Sequence, residues 1–211
     1  MHGYWPQFVK IAIAHMLAVA SPGPDFAMVV RQSLAHGRRA AIWTSIGIGS
    51  AILVHVTYAL FGIGILLRTY PVAFEAMKML CAGYLAWIGA KALMSRPKGE
   101  VPVPTLGSGE SPARHAAWTT GFLTNVFNPK ATLFFVAIFA TVVDPATPKL
   151  IQGAYGLWMS GTTALWFIAV SLLFTREPVR AAFVRGGHWI DRFMGLVLIS
   201  LAAAIALAPV S

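Results

Sequence analysis

The chain has 211 residues, of which 57% are apolar and 11% charged; 16 Lys and Arg stand against 7 Asp and Glu, a formal net charge of +9. Soluble domains carry roughly 25% charged and 45–50% apolar residues, and this chain lacks the polar residues to cover an aqueous surface. A water-soluble globule, a disordered chain and a disulfide scaffold are excluded, which leaves an integral membrane protein.

The basic residues are scattered between apolar runs rather than gathered on one face, so the net charge does not point to nucleic acid. Cys81 stands alone, which permits neither an internal disulfide nor dithiol exchange.

A membrane-crossing helix needs about 20 mainly apolar residues. Six such runs follow one another: Pro6–Val30, Ala40–Leu67, Val72–Leu93, Ala116–Val143, Leu150–Thr175 and Trp189–Ala208. Their length suits helices, and the alternation of a membrane-barrel strand is missing. The fold expected is all-α, a polytopic membrane helical bundle. Within the first run Ala18-Val19-Ala20 fits a signal-peptide cleavage site, and the stretch before it is apolar. No Lys or Arg precedes it, however, and Lys10 and His15 interrupt it, so a retained span is expected.

Orientation follows from Lys and Arg, which are enriched in cytoplasmic loops. The loops one–two, three–four and five–six with their flanks hold eleven: Arg31, Arg38, Arg39, Lys91, Arg96, Lys98, Arg114, Arg176, Arg180, Arg185 and Arg192. The other side holds four, Lys10, Arg68, Lys78 and Lys149, and Lys130 falls inside a span. Both termini are therefore expected outside the cytoplasm. Residues 95–115, rich in Pro, Gly and Ser, read as a cytoplasmic linker. It separates a first half, 1–94, from a second, 116–211. Each half has three spans, an odd number, so the second enters the membrane inverted, as in many secondary transporters.

Each half carries an interruption in its first span. Span one contains Ser21-Pro22-Gly23-Pro24-Asp25, and span four contains Asn128-Pro129-Lys130. A proline inside a helix lacks an N–H and clashes with the preceding turn; Asn followed by Pro is a helix start. Opened turns free backbone groups that lipid cannot satisfy, so such breaks belong against protein or a wet cavity. Paired breaks in corresponding spans point to a transport site, and the new helix N-termini suit a carboxylate.

Asp25 sits inside the membrane, where a carboxylate is costly and functional by default. It is expected to hold a substrate ammonium or carry a proton, or to offset the positive end of its half-helix. Lys130 is expected to pair with Asp25 across the halves or to bind a substrate carboxylate, against snorkelling to water. His15 and His55 are candidates for a proton relay or for hydrogen bonds between helices. Glu75 and Lys78, spaced i,i+3, suit a local pair. Asp144-Pro145 terminates span four and is a further candidate for proton entry. Small residues mark close helix contacts at Ala41, Ser45 and Gly49 and at Gly156 and Ser160. Trp5, Trp118 and Trp189 read as interfacial anchors, and aromatics within the spans as lipid-facing or packing groups.

The pattern resembles the LysE/RhtB amino-acid exporters. The first half is similar in Ser21 through Asp25, the basic Gly37-Arg38-Arg39 loop, Gly47-Ile48-Gly49, and Lys78 through Leu93 with Gly83-Tyr84-Leu85 and Ile88-Gly89. The second is similar in Gly121-Phe122 and in Asn125 through Phe135. The resemblance implies a six-span protein of the bacterial inner membrane that exports amino acids or their derivatives on the proton gradient. It places Pro22, Gly23, Pro24 and Asp25 in one family motif and Asn128, Pro129 and Lys130 in another. The family's Pro-Gln-Phe before an acidic Asp-Pro is replaced here by Ala140-Thr141-Val142-Val143.

The function expected is secondary, proton-coupled antiport of small zwitterions. Its candidate binding residues are Ser21 through Asp25 and Asn128 through Lys130, and its proton-coupling candidates are Asp25, His15, His55 and Asp144. Partners are lipid, substrate and protons; no cofactor or metal is called for, and self-association is left open. Transport of another solute or a metal ion is the rival, although no His/Cys/Asp cluster has ligand spacing. A membrane-embedded enzyme finds no nucleophile–base motif.

Overall fold

The computed structural model describes residues 4–63, 70–95, 112–174 and 176–207. Among these residues the secondary structure is entirely helical. Helix α1 (Trp5–Ala20) and α2 (Pro24–Ala35) meet at a bend of 51°. Ser21 turns extended (φ −63°, ψ 101°) ahead of Pro22, and Pro24 restarts the helix at its first position. The chain then reverses at Gly37, whose φ of +79° an L side chain rarely adopts.

Helix α3 (Gly37–Tyr58) runs into a π-helical turn at Ala59–Ile63, where Lys149 Nζ donates to Leu60 O at 2.8 Å. Helix α4 spans Pro71–Leu93; there Lys78 Nζ lies 3.0 Å from Glu75 Oε1, the local pair that their spacing predicts. Helices α5 (Arg114–Val126) and α6 (Pro129–Thr141) form the second bent pair, at 57°. Helices α7 (Lys149–Phe174) and α8 (Glu177–Leu207) complete the chain.

Helix α8 begins well before the apolar run at Trp189. Pro178 stands at its second position, where the missing N–H costs nothing, so a polar stretch joins the helix without raising apolarity. Helices α3 and α7 are each long and apolar enough to cross a membrane, and each bent pair qualifies when counted as one span. The expected loop residues 96–111, with Arg96 and Lys98, and Arg68 lie outside the described residues.

The bundle is apolar outside and partly polar inside. Ile13, Leu53, Leu80, Leu157, Leu165 and Leu196 are exposed, while His15, Gln32, Thr44, His55, Asn125 and Lys130 are buried. That inversion suits a lipid environment. Helix α3 packs on α5 and α7, and α4 packs on α8.

Small residues set these crossings, Gly49, Gly156 and Ser160 as their spacing predicts and four further glycines beside them. A Cβ on Gly47 would overlap the Trp118 carbonyl oxygen, and one on Gly121 would overlap that of Thr44. At the α3–α7 crossing Ser160 Oγ donates to Gly49 O at 2.7 Å. At the α4–α8 crossing a Cβ on Gly89 would come within 2.8 Å of Gly195 O, and one on Gly195 within 2.6 Å of Gly89 O. Trp118, expected near an interface, also makes contacts inside the bundle. It stacks on Phe122 (centroids 4.8 Å apart) and its Nε1 donates to Ser50 Oγ at 3.4 Å, because the glycine crossing draws its helix against α3.

Candidate functional site

The two bends meet inside the bundle and exchange side chains. Asp25, in the first turn of α2, accepts at Oδ2 from Asn125 Nδ2 and from Asn128 Nδ2, each at 2.9 Å. Lys130, in the first turn of α6, reaches the other way, and its Nζ donates to Ser21 O at 2.6 Å and Pro22 O at 3.3 Å. Each bend is thus closed by groups from the other.

The local sequence explains both reaches. Asn128 caps α6, its Oδ1 accepting from Lys130 N at 3.0 Å, which leaves its amide nitrogen free to donate to Asp25. Gly23, the cap of α2, offers no side chain; a Cβ there would lie 3.3 Å from Lys130 Nζ and 3.5 Å from its Cδ, so the glycine makes room for the lysine. The charges also suit the helix ends they touch. Asp25 sits at the positive end of α2, and the Lys130 ammonium sits on the carbonyls that follow α1, its negative end. Asp25 and Lys130 interact electrostatically but form no salt bridge, contrary to the direct pairing considered from the sequence. The carbonyls of the opened turn take the ammonium; Pro22 O also accepts from the Ser21 hydroxyl, at 3.3 Å.

A partly open cavity lies between the bends. Ser21, Gly23, Asp25, Asn128 and Lys130 line it, with His15 and Thr163; Phe26, Phe134, Phe135 and Phe167 form apolar wall. Asp25 Oδ1 and His15 Nδ1 are buried and have no hydrogen-bond partner among the described residues. The other nitrogen of His15, Nε2, lies 3.2 Å from Met159 O and 3.0 Å from Thr163 Oγ1. The carbonyl fixes it as the N–H donor and leaves Nδ1 an acceptor.

His55 stands one residue behind the cavity. Its Nε2 is 3.1 Å from both Asn125 O and Asn125 Oδ1, its Nδ1 is 2.7 Å from Tyr58 Oη, and its ring stacks on Phe135 at 5.4 Å. The structure thus gathers Ser21, Gly23, Asp25, Asn128, Lys130 and His15 around one space, with His55 linked to it through Asn125; Pro22, Pro24 and Pro129 shape the bends without lining it. Asp144 lies apart; its Oδ1 accepts from Ala146 N at 2.8 Å in the exposed α6–α7 loop, as a turn residue does. Among the described residues no three His, Cys, Asp or Glu gather as metal ligands.

Asn125, Thr163 and the phenylalanine walls did not emerge as site residues from the sequence. Asn125 left a usable signal, a second amide three residues before Asn128 in the same span. Thr163 and the phenylalanines left none, since polarity or bulk at helical spacing reads equally as packing.

A model of the LysE type translocator matches residues 16–208. Over 192 residues the chain is 30% identical to the threonine efflux protein of Escherichia coli (strain K12), covering 89% of this chain and 91% of that one. It is 27% identical over 188 residues to the threonine efflux protein of Salmonella typhi, with the same coverage. To the membrane protein YahN of E. coli (strain K12) it is 25% identical over 178 residues, covering 84% and 79%. No solved structure matches the chain.

Proposed function

The chain belongs to the LysE type translocator family, and from this premise we propose that it is a secondary exporter of amino acids or similar small zwitterions across the bacterial inner membrane. The observation that carries the reading is Asp25 Oδ1, without a hydrogen-bond partner among the described residues, in a partly open cavity where the two bent helix pairs meet. A carboxylate with one oxygen held by two amides presents the other to a ligand ammonium. The substrate carboxylate meets the uncapped N-terminus of α2 beside Lys130. Its side chain lies against the phenylalanine walls. Threonine, named for the two efflux relatives, is the first substrate to try.

Coupling to protons follows from the same oxygen: a proton on Asp25 and an ammonium at Asp25 exclude each other, so proton entry releases the substrate. His15 and His55 flank this exchange, the first in the wall and the second through Asn125. Asp144 lies outside the cavity, and we assign it no part in the exchange.

We further propose six spans in two inverted halves, 1–94 and 116–211, joined by the 95–115 linker, with both termini outside. Support comes from counterpart contacts: the bent pairs interlock, and α3 meets α7 as α4 meets α8. The reciprocal approach of Gly89 and Gly195 is the self-complementary contact that a two-fold relation produces. A reporter active only in the cytoplasm, fused after Ser211, should stay silent; strong signal reverses the orientation.

The test of function is counterflow of labelled threonine and a panel of amino acids into proteoliposomes holding the purified chain, with and without a pH gradient. Exchange of at least one amino acid, accelerated by the gradient, is expected. Absence of exchange across the panel overturns the reading; exchange indifferent to pH removes the proton.

A further inference from the structure

The turn opened between α1 and α2 leaves carbonyl groups that only the protein can satisfy. Two of them, Ser21 O and Pro22 O, are satisfied by the Lys130 ammonium from the opposite bent pair. Lys130 is 7% exposed, and among the described residues it forms no salt bridge. Backbone carbonyls at the end of a half-helix, with a carboxylate nearby, are the surroundings in which discontinuous transporter helices hold sodium. Here that place is filled by a side chain. Gly23 eases the approach, since a Cβ there would crowd Nζ at 3.3 Å and touch Cδ at 3.5 Å.

We propose that Lys130 is a resident cation, tethered where a mobile monovalent cation would otherwise bind, and that it holds α1 and α2 at their bend. It is a positioning residue, acting through the Ser21 and Pro22 carbonyls. The consequence for transport, exchange without a bound metal cation, rests on the exporter reading; the cation site itself does not.

Shortening the side chain to alanine removes a propylammonium-sized piece, which supplies the test. The full chain is purified in detergent as wild type, Lys130→Ala and Lys130→Met, and its thermal midpoint is read with n-propylammonium, tetramethylammonium or no addition. Both variants should melt below wild type. Millimolar n-propylammonium should restore about half or more of the loss in Lys130→Ala by occupying the vacated space. It should do nothing for Lys130→Met, whose stem fills that space, nor for wild type. Tetramethylammonium, with no N–H to donate, should restore neither variant.

A Lys130→Met as stable as wild type overturns the proposal, as does Lys130→Ala indifferent to n-propylammonium. So does an equal shift in wild type, which places the amine elsewhere. If Lys130→Ala cannot be extracted folded, adding n-propylammonium throughout extraction must recover it, and failure to recover it counts against the idea. Wild-type counterflow should run equally in sodium and choline media, and strict sodium dependence overturns the tethered role. Rescue without any amino-acid exchange would sink the exporter reading alone; exchange intact in an unrescuable Lys130→Ala would sink this one alone.

Discussion

Asn125 holds Asp25 with one end of its amide and His55 with the other: Nδ2 donates to Asp25 Oδ2 at 2.9 Å, and Oδ1 lies 3.1 Å from His55 Nε2. The amide oxygen can only accept, so His55 Nε2 carries the hydrogen. In neutral His55 the Tyr58 hydroxyl then donates to Nδ1 across 2.7 Å. In the imidazolium Nδ1–H would donate to Tyr58, whose own hydrogen faces Thr132 O at 3.3 Å. The chain of bonds is complete in either state.

Replacing Asp25 by Asn keeps its shape and removes the charge an ammonium needs. A hydrogen bond to a charged group contributes about 1.5–3 kcal/mol, so threonine exchange in proteoliposomes should fall by roughly ten- to a hundredfold. The protein should still elute as a folded species by size exclusion. Wild-type exchange in Asp25→Asn removes Asp25 from the site.

Asn125→Ala takes from Asp25 Oδ2 one of its two amide donors and leaves His55 Nε2 only the carbonyl oxygen of residue 125; a lost intramolecular hydrogen bond costs about 0.5–1.5 kcal/mol. A cycle with His55→Phe should be non-additive, because the two share one network. Detergent melting curves of the four proteins measure this; strict additivity would show that the amide does not link them.

The α3–α5 crossing should tolerate no side chain. Gly47→Ala and Gly121→Ala each drive a methyl into a carbonyl of the facing helix, and overpacking costs about 1–3 kcal/mol. Gly83→Ala and Gly153→Ala, where nothing lies within 4 Å of the new Cβ, should leave the melting midpoint unchanged or slightly raised. Equal effects in the two groups would contradict the packing.

Gly37→Ala isolates backbone conformation from space. No atom lies within 4 Å of the added Cβ, but φ is +79°, so the change should cost about 1–2 kcal/mol. The readout is again the thermal midpoint, and Gly37→Asn should recover part of the loss.

Asp144→Asn should change exchange less than about twofold, since surface changes away from special features are near neutral and the bond its side chain accepts from Ala146 N is kept by an amide oxygen. A large loss would bring Asp144 back into the exchange step.

The breaks at Ser21–Asp25 and Asn128–Lys130 were legible because proline removes a donor, a local fact written in one residue. Their meeting was not, since nothing in either motif encodes that Lys130 finds the Ser21 and Pro22 carbonyls rather than Asp25. Apolar run length located the cores of the helices but missed the start of α8, which rests on Pro178 and a polar turn. The four phenylalanines of the cavity were invisible for a related reason: lipid, packed core and ligand wall ask for the same side chains.

The exchange of Asp25 and Lys130 between bends has a mechanical corollary. If one bent pair swung outward alone, it would leave an ammonium without its carbonyls and a carboxylate without its amides, each a costly loss. Motion of either arm is therefore yoked to the other, and a cargo that loosens one grip loosens both.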